Sequence, residues 1–516
     1  MSLSVRNLTI RYGDAVAAGD VSFALAPGRC LGIVGESGSG KSQTGLAIMG
    51  LLSPAAQVSG DILVDGKALS PAARRETIAM VFQDPQSAFC PHMRIQGQIY
   101  EAIGSDDRPA CLDALARAGL PDPERVARSY PHELSGGMRQ RAMLAMALAR
   151  TPDVIIADEP TTALDASVQL GILREFTKVK DAGTAMIVIS HDIGVIAGLA
   201  DDILVMKDGA VIESGGANDV LTAPQKPYTQ ALIAASVLKG RSETKDTTGG
   251  PPVLAAKGLS KDYPLPKPHP FAKQKTLTAL ASIDMTLTAG ETLAIVGESG
   301  SGKSTLANLL LGLETPTSGD VLWSGQPFLN FTPAQKRAER ARIQPVFQDP
   351  FASFDPQRRL GRSIQDMLDL HGGSSSVEAL LEAVNLPPEM AAKYPHEASG
   401  GQNQRAAIAR ALAADPEVLV CDEALSALDK TTQVQIIALL ADIKRARGLA
   451  MLFISHDLDV VSAIADRIVI LKDGHCVEQG TASDIFAKSQ SPYTRALINA
   501  QTVPDVAQMQ AKIKVA

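Results

Sequence analysis

Gly35-Glu36-Ser37-Gly38-Ser39-Gly40-Lys41-Ser42 follows the apolar run Cys30-Leu31-Gly32-Ile33-Val34 and precedes a stretch of helical character, Thr44 to Leu52. Strand, glycine-rich turn, Lys-Ser, helix is the arrangement that cradles phosphate. Glycines let several backbone N–H groups converge on one concavity, where a side chain would block the phosphates. The helix behind adds its positive end. Lys41 can reach β- and γ-phosphates, and the Ser42 hydroxyl can ligate Mg²⁺.

The same eight letters return as Gly297-Glu298-Ser299-Gly300-Ser301-Gly302-Lys303-Ser304, an offset of 262 residues. Other stretches recur at nearly that spacing. Val81-Phe82-Gln83-Asp84-Pro85 returns as Val346-Phe347-Gln348-Asp349-Pro350, and Tyr130-Pro131-His132-Glu133 as Tyr394-Pro395-His396-Glu397. Asp158-Glu159 returns as Asp422-Glu423, Ser190-His191-Asp192 as Ser455-His456-Asp457, and Pro227-Tyr228-Thr229 as Pro492-Tyr493-Thr494. A period this long means duplicated domains rather than a solenoid. We read 1–238 as the first domain, the polar stretch 239–252 as a linker, and 253–516 as the second domain. The Pro- and Lys-rich stretch 264–275 reads as a surface insert early in the second domain.

The 516 residues exceed one ordinary core. Apolar residues make up 45% and charged residues 20%, the balance of a globular protein. A net charge of −7 and an aromatic share of 4% argue against nucleic acid as the partner. Five scattered cysteines, with no Cys-x-x-Cys pair, predict neither a disulfide framework nor a structural zinc site. Met1 to Ile10 has no signal-peptide pattern, and no apolar run reaches the about 20 residues of a spanning helix. A cytosolic chain whose membrane role comes through partners is the expectation. Each half opens on alternating β signals and then alternates strand and helix, which predicts an α/β fold. Helical stretches at 109–120 and 135–150, and their counterpart within 349–416, read as helical subdomains beside the sheet.

Val154-Ile155-Ile156-Ala157 ends on Asp158 and Glu159. At a strand end beside a phosphate loop, Asp158 is placed to hold Mg²⁺ and Glu159 to polarise the attacking water. Asp422 and Glu423 repeat the pair. Gln83 and Gln348 each follow a β-like stretch, where a neutral amide can contact both Mg²⁺ and water. His191 and His456 end apolar strands and can hydrogen-bond a γ-phosphate. Ser135-Gly136-Gly137 and Ser399-Gly400-Gly401 open helices and form further anion sites. Each lies far along the chain from its own phosphate loop, so its simplest use is a phosphate held by the other half.

Walker A, glutamine turn, Ser-Gly-Gly signature, Walker B with glutamate and a final histidine, in that order and twice, resemble the ABC ATPase family. The resemblance implies two P-loop NTPase domains in tandem, each with an antiparallel β subdomain and a helical subdomain. It implies a head-to-tail pairing in which one ATP lies between Lys41 and Ser399 and the other between Lys303 and Ser135. Ala163-Leu164-Asp165 and Ala427-Leu428-Asp429 are similar to the D-loops of that pairing. Tyr12, 29 residues before Lys41, and Tyr263 resemble the aromatic that stacks on adenine. The Glu-Ser-Gly-Ser-Gly loop, Phe-Gln-Asp-Pro, Tyr-Pro-His-Glu and the Pro-Tyr-Thr tails are similar to the oligopeptide/dipeptide/nickel importer branch. That branch implies an ATP-driven importer motor, peripheral on the cytoplasmic face of the membrane, with permease subunits and, indirectly, a solute-binding protein as partners and peptide as cargo.

Within the family, the alternatives are a soluble tandem protein of translation or DNA repair, and an exporter ATPase. The short linker and scattered cysteines argue against the first, and the Pro-Tyr-Thr tails and lack of a fused membrane domain against the second. Some relatives carry a tail cysteine cluster for an iron–sulfur centre. No cysteine lies between Cys111 and Cys421, so none is expected. Met138, Ala398, Gln43 and Ala424 depart from the family pattern. None removes a lysine, carboxylate or histidine of the constellation, so two hydrolysis-competent sites are expected, and the sequence leaves open whether they turn over equally.

Overall fold

Cys30–Val34, Val154–Asp158 and Ala185–Ile189 are short and buried along their whole length. Strands covered on both faces read this way because helices pack on either side of a parallel sheet. In the computed structural model, which describes residues 1–162, 164–236, 251–265, 267, 274–426 and 428–515, the chain divides into two compact units. Ala163, Ala427, linker residues 239–250 and insert residues 266 and 268–273 lie outside the described residues.

In the first unit the parallel strands run Ile78–Val81, Val154–Asp158, Ala185–Ile189, Cys30–Val34 and Asp202–Lys207. Ala210–Gly216 returns antiparallel to the last of these. Its far side meets Ala15–Leu25 at Ala210–Gly19, which extends the sheet into the antiparallel strands Leu3–Tyr12, Gln57–Val64 and Lys67–Ala68. The second unit repeats the core as Ile343–Val346, Val418–Asp422, Ala450–Ser455, Thr292–Val296, Arg467–Lys472 and antiparallel His475–Thr481. Its antiparallel strands Thr276–Thr288, Pro252–Pro264, Ser318–Trp323 and Gln326–Pro327 form a separate sheet. Pro264 pairs with Thr276, so the strands on either side of the insert form a long antiparallel pair.

The phosphate-loop strand is central in both cores, and the loops that leave the carboxyl ends of the parallel strands gather there. Open α/β sheets bind ligands at such a crevice. Helices Ile95–Ile103, Arg108–Arg117, Pro123–Arg128 and Gly136–Leu148 form the helical subdomain of the first unit. Leu360–His371, Val377–Ala383 and Gly400–Leu412 do so in the second. Among the described residues no helix is long and apolar enough to cross a membrane.

Two stretches group otherwise than the sequence reading has them, one of them the short Asp429–Thr431, which falls with the first unit. Residues 500–516, assigned above to the second domain, group with the first unit. Helix Val506–Val515 buries Met509 and Ile513. Both side chains lie over Gly198 of helix Ile193–Leu199, and Thr502 lies over Gly194. Two glycines leave that helix face bare enough for the tail to approach closely. Thr502 Oγ1 also donates to Asp192 Oδ2 at 3.0 Å.

Candidate functional site: two phosphate cradles

Gly40 and Gly302 cap helices Lys41–Met49 and Lys303–Leu310 with φ of 96° and 102°, left-handed backbone that other residues adopt only with strain. A Cβ on Gly35 would lie 2.1 Å from Met206 O, and one on Gly297 2.3 Å from Leu471 O. The loop therefore wraps against the neighbouring strand end with no room for a side chain. Lys41 Nζ donates to Gly35 O (2.8 Å) and Glu36 O (2.7 Å), and Lys303 Nζ to Gly297 O (2.7 Å) and Glu298 O (2.9 Å). Both lysines are buried. Burial lowers the Lys41 pKa, against the opposing charges of Glu159 and Asp158. Ser37, Gly38, Ser299 and Gly300 form the exposed lip, whereas Ser39 and Ser301 are buried.

The carboxylate pair faces this cradle from a strand two places away. Ser42 Oγ donates to Asp158 Oδ1 at 3.1 Å, and burial raises the Asp158 pKa. Glu159 stands in left-handed backbone, φ 50°, with its N–H donating to Ile189 O at 2.8 Å. Its carboxylate accepts from His191 N (3.0 Å) and Thr162 Oγ1 (3.1 Å), and Oε1 lies 2.8 Å from His191 Nδ1. Burial would raise Glu159, but the hydrogen bond and charge of His191, with Thr162 and Lys41, bring it below the ordinary value. Burial would likewise lower His191, and Glu159 reverses this, leaving it raised.

In the second unit, Glu423 repeats the backbone, φ 47°, with its N–H donating to Ile454 O. Its Oε1 lies 3.5 Å from His456 Nδ1. His456 is the chief cause of its lowered pKa. Burial raises Asp422, whose Oδ1 is buried with no hydrogen-bond partner.

The structure thus joins lysine, serine, aspartate, glutamate and histidine in the first unit. The second unit keeps His456 beside Glu423, and among the described residues no hydrogen bond ties the glutamines, the signature serines or Tyr12 and Tyr263 to these acid pairs. Gln83 and Gln348 are exposed just beyond strands Ile78–Val81 and Ile343–Val346. Ser135 and Ser399 are exposed caps that accept from Met138 N (3.3 Å) and Gln402 N (3.2 Å). Gly136 and Gly400 are also exposed, and Gly137 and Gly401 half-buried. A Cβ on Gly137 would strike Val168 Cγ1 at 2.4 Å, and one on Gly401 Thr432 Cγ2 at 2.7 Å, so close packing demands these glycines. Tyr12 and Tyr263 are half-buried. Tyr12 donates its hydroxyl to Gln43 Oε1 (2.7 Å), which gives the unusual Gln43 a physical role. Tyr263 donates to Glu314 Oε2 (2.6 Å).

The sequence marks the Pro-Tyr-Thr tails as features of the importer branch and leaves open whether they do more than pack. The hydroxyls of Tyr228 and Tyr493 meet the phosphate loops. The available signal is that each tyrosine recurs at nearly the same distance behind its own loop, 192 residues after Glu36 and 195 after Glu298.

A glycine cradle closed by lysine, beside a Walker-type carboxylate pair and a strand-end histidine, defines a P-loop nucleotide hydrolase, here in two copies. The ABC transporter family matches residues 18–162 and 280–426, and the oligopeptide/dipeptide transporter C-terminal region matches 212–254 and 477–515. The glutathione import ATP-binding protein GsiA of Escherichia coli (strain K12) is 40% identical over 98% of this chain and 90% of its own. The peptidoglycan transport ATP-binding protein YejF of Agrobacterium fabrum is 41% identical over 96% of each. An archaeal ribosome recycling factor, aABCE1, solved in complex with the ribosomal stalk protein aP1, aligns over 91% of this chain and 88% of its own. At 20% identity and a TM-score of 0.62, it shows the shared fold alone. The chain belongs to the ABC transporter family. It is an ATP-binding transport ATPase with tandem domains and the C-terminal regions of the oligopeptide/dipeptide branch.

Proposed function

We propose that this chain powers import of short peptides through a membrane ABC transporter by hydrolysing ATP at two sites. The observation that carries this reading is the pairing of buried Glu159 with half-buried His191 beside the Lys41 cradle, repeated more loosely by Glu423 and His456. The peptide cargo rests on the branch of the C-terminal regions and on two relatives whose names concern glutathione and peptidoglycan, both of which contain peptide.

In each site, Lys41 or Lys303, oriented by its two loop carbonyls, turns its remaining N–H to the β- and γ-phosphates, and the loop N–H groups hold the same oxygens. Tyr12 and Tyr263 carry the adenine. Ser42, Gln83 and Asp158, with Ser304, Gln348 and Asp422, would hold Mg²⁺. Their donors are all oxygens, and the buried, unpartnered Asp422 Oδ1 fits a cation-facing ligand. The ion, when bound, supplies neutralisation of phosphate charge. Glu159 and Glu423 accept the proton of the attacking water, and their lowered pKa values keep them ionised for it. His191 and His456 orient toward the γ-phosphate. Ser135-Gly136-Gly137 and Ser399-Gly400-Gly401 complete the nucleotide site of the opposite half.

The partners are permease subunits, with a solute-binding protein acting indirectly, and the chain is peripheral on the cytoplasmic face of the membrane. The exposed Phe82, Phe347 and Phe351 near the two glutamines are apolar groups suited to that contact. Deletion should abolish uptake of a labelled di- or tripeptide, and the tagged chain should co-purify with two permeases. Uptake that survives deletion, or full function without any membrane protein, would reject the reading.

A further inference from the structure

Two tyrosines outside the catalytic constellation grip the loops that hold phosphate. The Tyr228 hydroxyl accepts from Glu36 N at 3.2 Å, and the Tyr493 hydroxyl accepts from Glu298 N at 3.4 Å. The peptide that offers Glu36 N–H is also the one whose carbonyl, Gly35 O, receives Lys41 Nζ. In the second unit Gly297 O receives Lys303 Nζ in the same way. One peptide plane is thus held at its two poles, by the lysine that meets phosphate and by a tyrosine from the tail.

The tyrosines are themselves fixed. Lys207 Nζ lies 4.9 Å from the Tyr228 ring centre, and Lys472 Nζ 4.7 Å from that of Tyr493. Glu213 accepts from Gln225 N (2.8 Å) and Lys226 N (3.2 Å), which anchors the turn before helix Pro227–Ser236. Glu478 accepts from Gln490 N (3.1 Å) and Ser489 Oγ (2.6 Å) before helix Pro492–Asn499. Both tyrosines and both glutamates fall within the oligopeptide/dipeptide C-terminal regions, outside the matched ABC transporter segments.

We propose that Tyr228 and Tyr493 are positioning residues for ATP, through which each C-terminal region sets the orientation of the Gly35–Glu36 or Gly297–Glu298 peptide and thereby the reach of Lys41 or Lys303. This deepens the ATPase reading and rests on it. A peptide free to rotate would present its carbonyl to the lysine in many orientations. Nucleotide affinity would then fall while the carboxylate–histidine pair, and with it the chemical step, stayed as it is.

The test uses the full chain carrying Tyr228→Phe, Tyr493→Phe or both, titrated with a fluorescent ATP analogue and assayed for steady-state hydrolysis. Loss of one neutral hydrogen bond per site should weaken binding and raise KM about three- to tenfold in the double variant, with kcat within about twofold of the parent. Tyr228→Leu and Tyr493→Leu should weaken binding by a similar factor and also lower the melting temperature. Unchanged affinity in the double phenylalanine variant overturns the proposal. So does a loss confined to the leucine variants, which would assign the effect to ring packing. Binding is read without turnover, so hydroxyl-dependent affinity in a chain that supports no uptake would sustain this inference while rejecting the transport reading.

Discussion

The two halves carry the same catalytic letters in different surroundings. In the first, the Glu159 carboxylate meets His191 at 2.8 Å, with Thr162 Oγ1 at 3.1 Å. In the second, Glu423 meets His456 at 3.5 Å, and Ser426, which stands where Thr162 does, donates to the Glu423 carbonyl instead. Asp158 is hydrogen-bonded to its loop serine, whereas Asp422 Oδ1 is buried and unpartnered. The signature helix reverses the order. Ser399 and Gln402 form a reciprocal capping box, which Met138 denies to Ser135. Identical motifs therefore do not make identical sites, because residues between the motifs decide how firmly each carboxylate is held. A well-held general base costs less reorganisation when the reaction occurs.

The largest test of this contrast is hydrolysis. Glu159→Gln with Glu423→Gln should reduce turnover by about 10²-fold or more, the usual worth of a general base. Each single variant should fall, Glu159→Gln further than Glu423→Gln. If either leaves turnover at the parent value, the two-site proposal fails.

Stability should separate the halves next. His191→Ala strips a buried carboxylate of its charged partner and should cost about 2 kcal/mol, while the looser His456 pair should cost about 1 kcal/mol or less. Calorimetry that found equal losses would erase the distinction.

The pH profile sharpens it. His191 is raised above 6.5, so its share of stability is complete below that value and fades as pH rises through its folded pKa. Glu159 is lowered below 4.5, so its share is complete above that value and fades as pH falls through its folded pKa. The penalty of His191→Gln, measured as a melting shift, should be greatest between these two ordinary values and shrink at higher pH. A penalty that grew toward alkaline pH would contradict the pairing. The smallest effect is expected from Met138→Gln, which restores the capping box and should add about 0.5 kcal/mol, seen as a rise in melting temperature of about 1–2 °C.

Much of the site was legible because phosphate binding constrains contiguous residues. A glycine turn between strand and helix must be written in one stretch, and an apolar run ending in two acids marks a strand that delivers them to one edge. Helix limits moved by a few residues, with Gly136–Leu148 replacing 135–150. The Thr162 and Ser426 contacts were not legible, because one hydroxyl reaches a side chain and the other a backbone oxygen through similar sequence. The grouping of residues 500–516 with the first unit was equally hidden, since a short amphipathic helix does not record which surface it covers.

From its letters alone, the chain declared its duplication, its phosphate loops, its acids and its histidines, since local backbone geometry and strand periodicity are properties of neighbours in sequence. Only the folded structure decided that strands 30–34, 154–158 and 185–189 stand side by side, so that lysine, glutamate and histidine share one edge. It alone brought Tyr228 to the peptide that holds Lys41, 192 residues from Glu36. Such meetings depend on sheet order and on close approach through glycine, which no single stretch of sequence encodes.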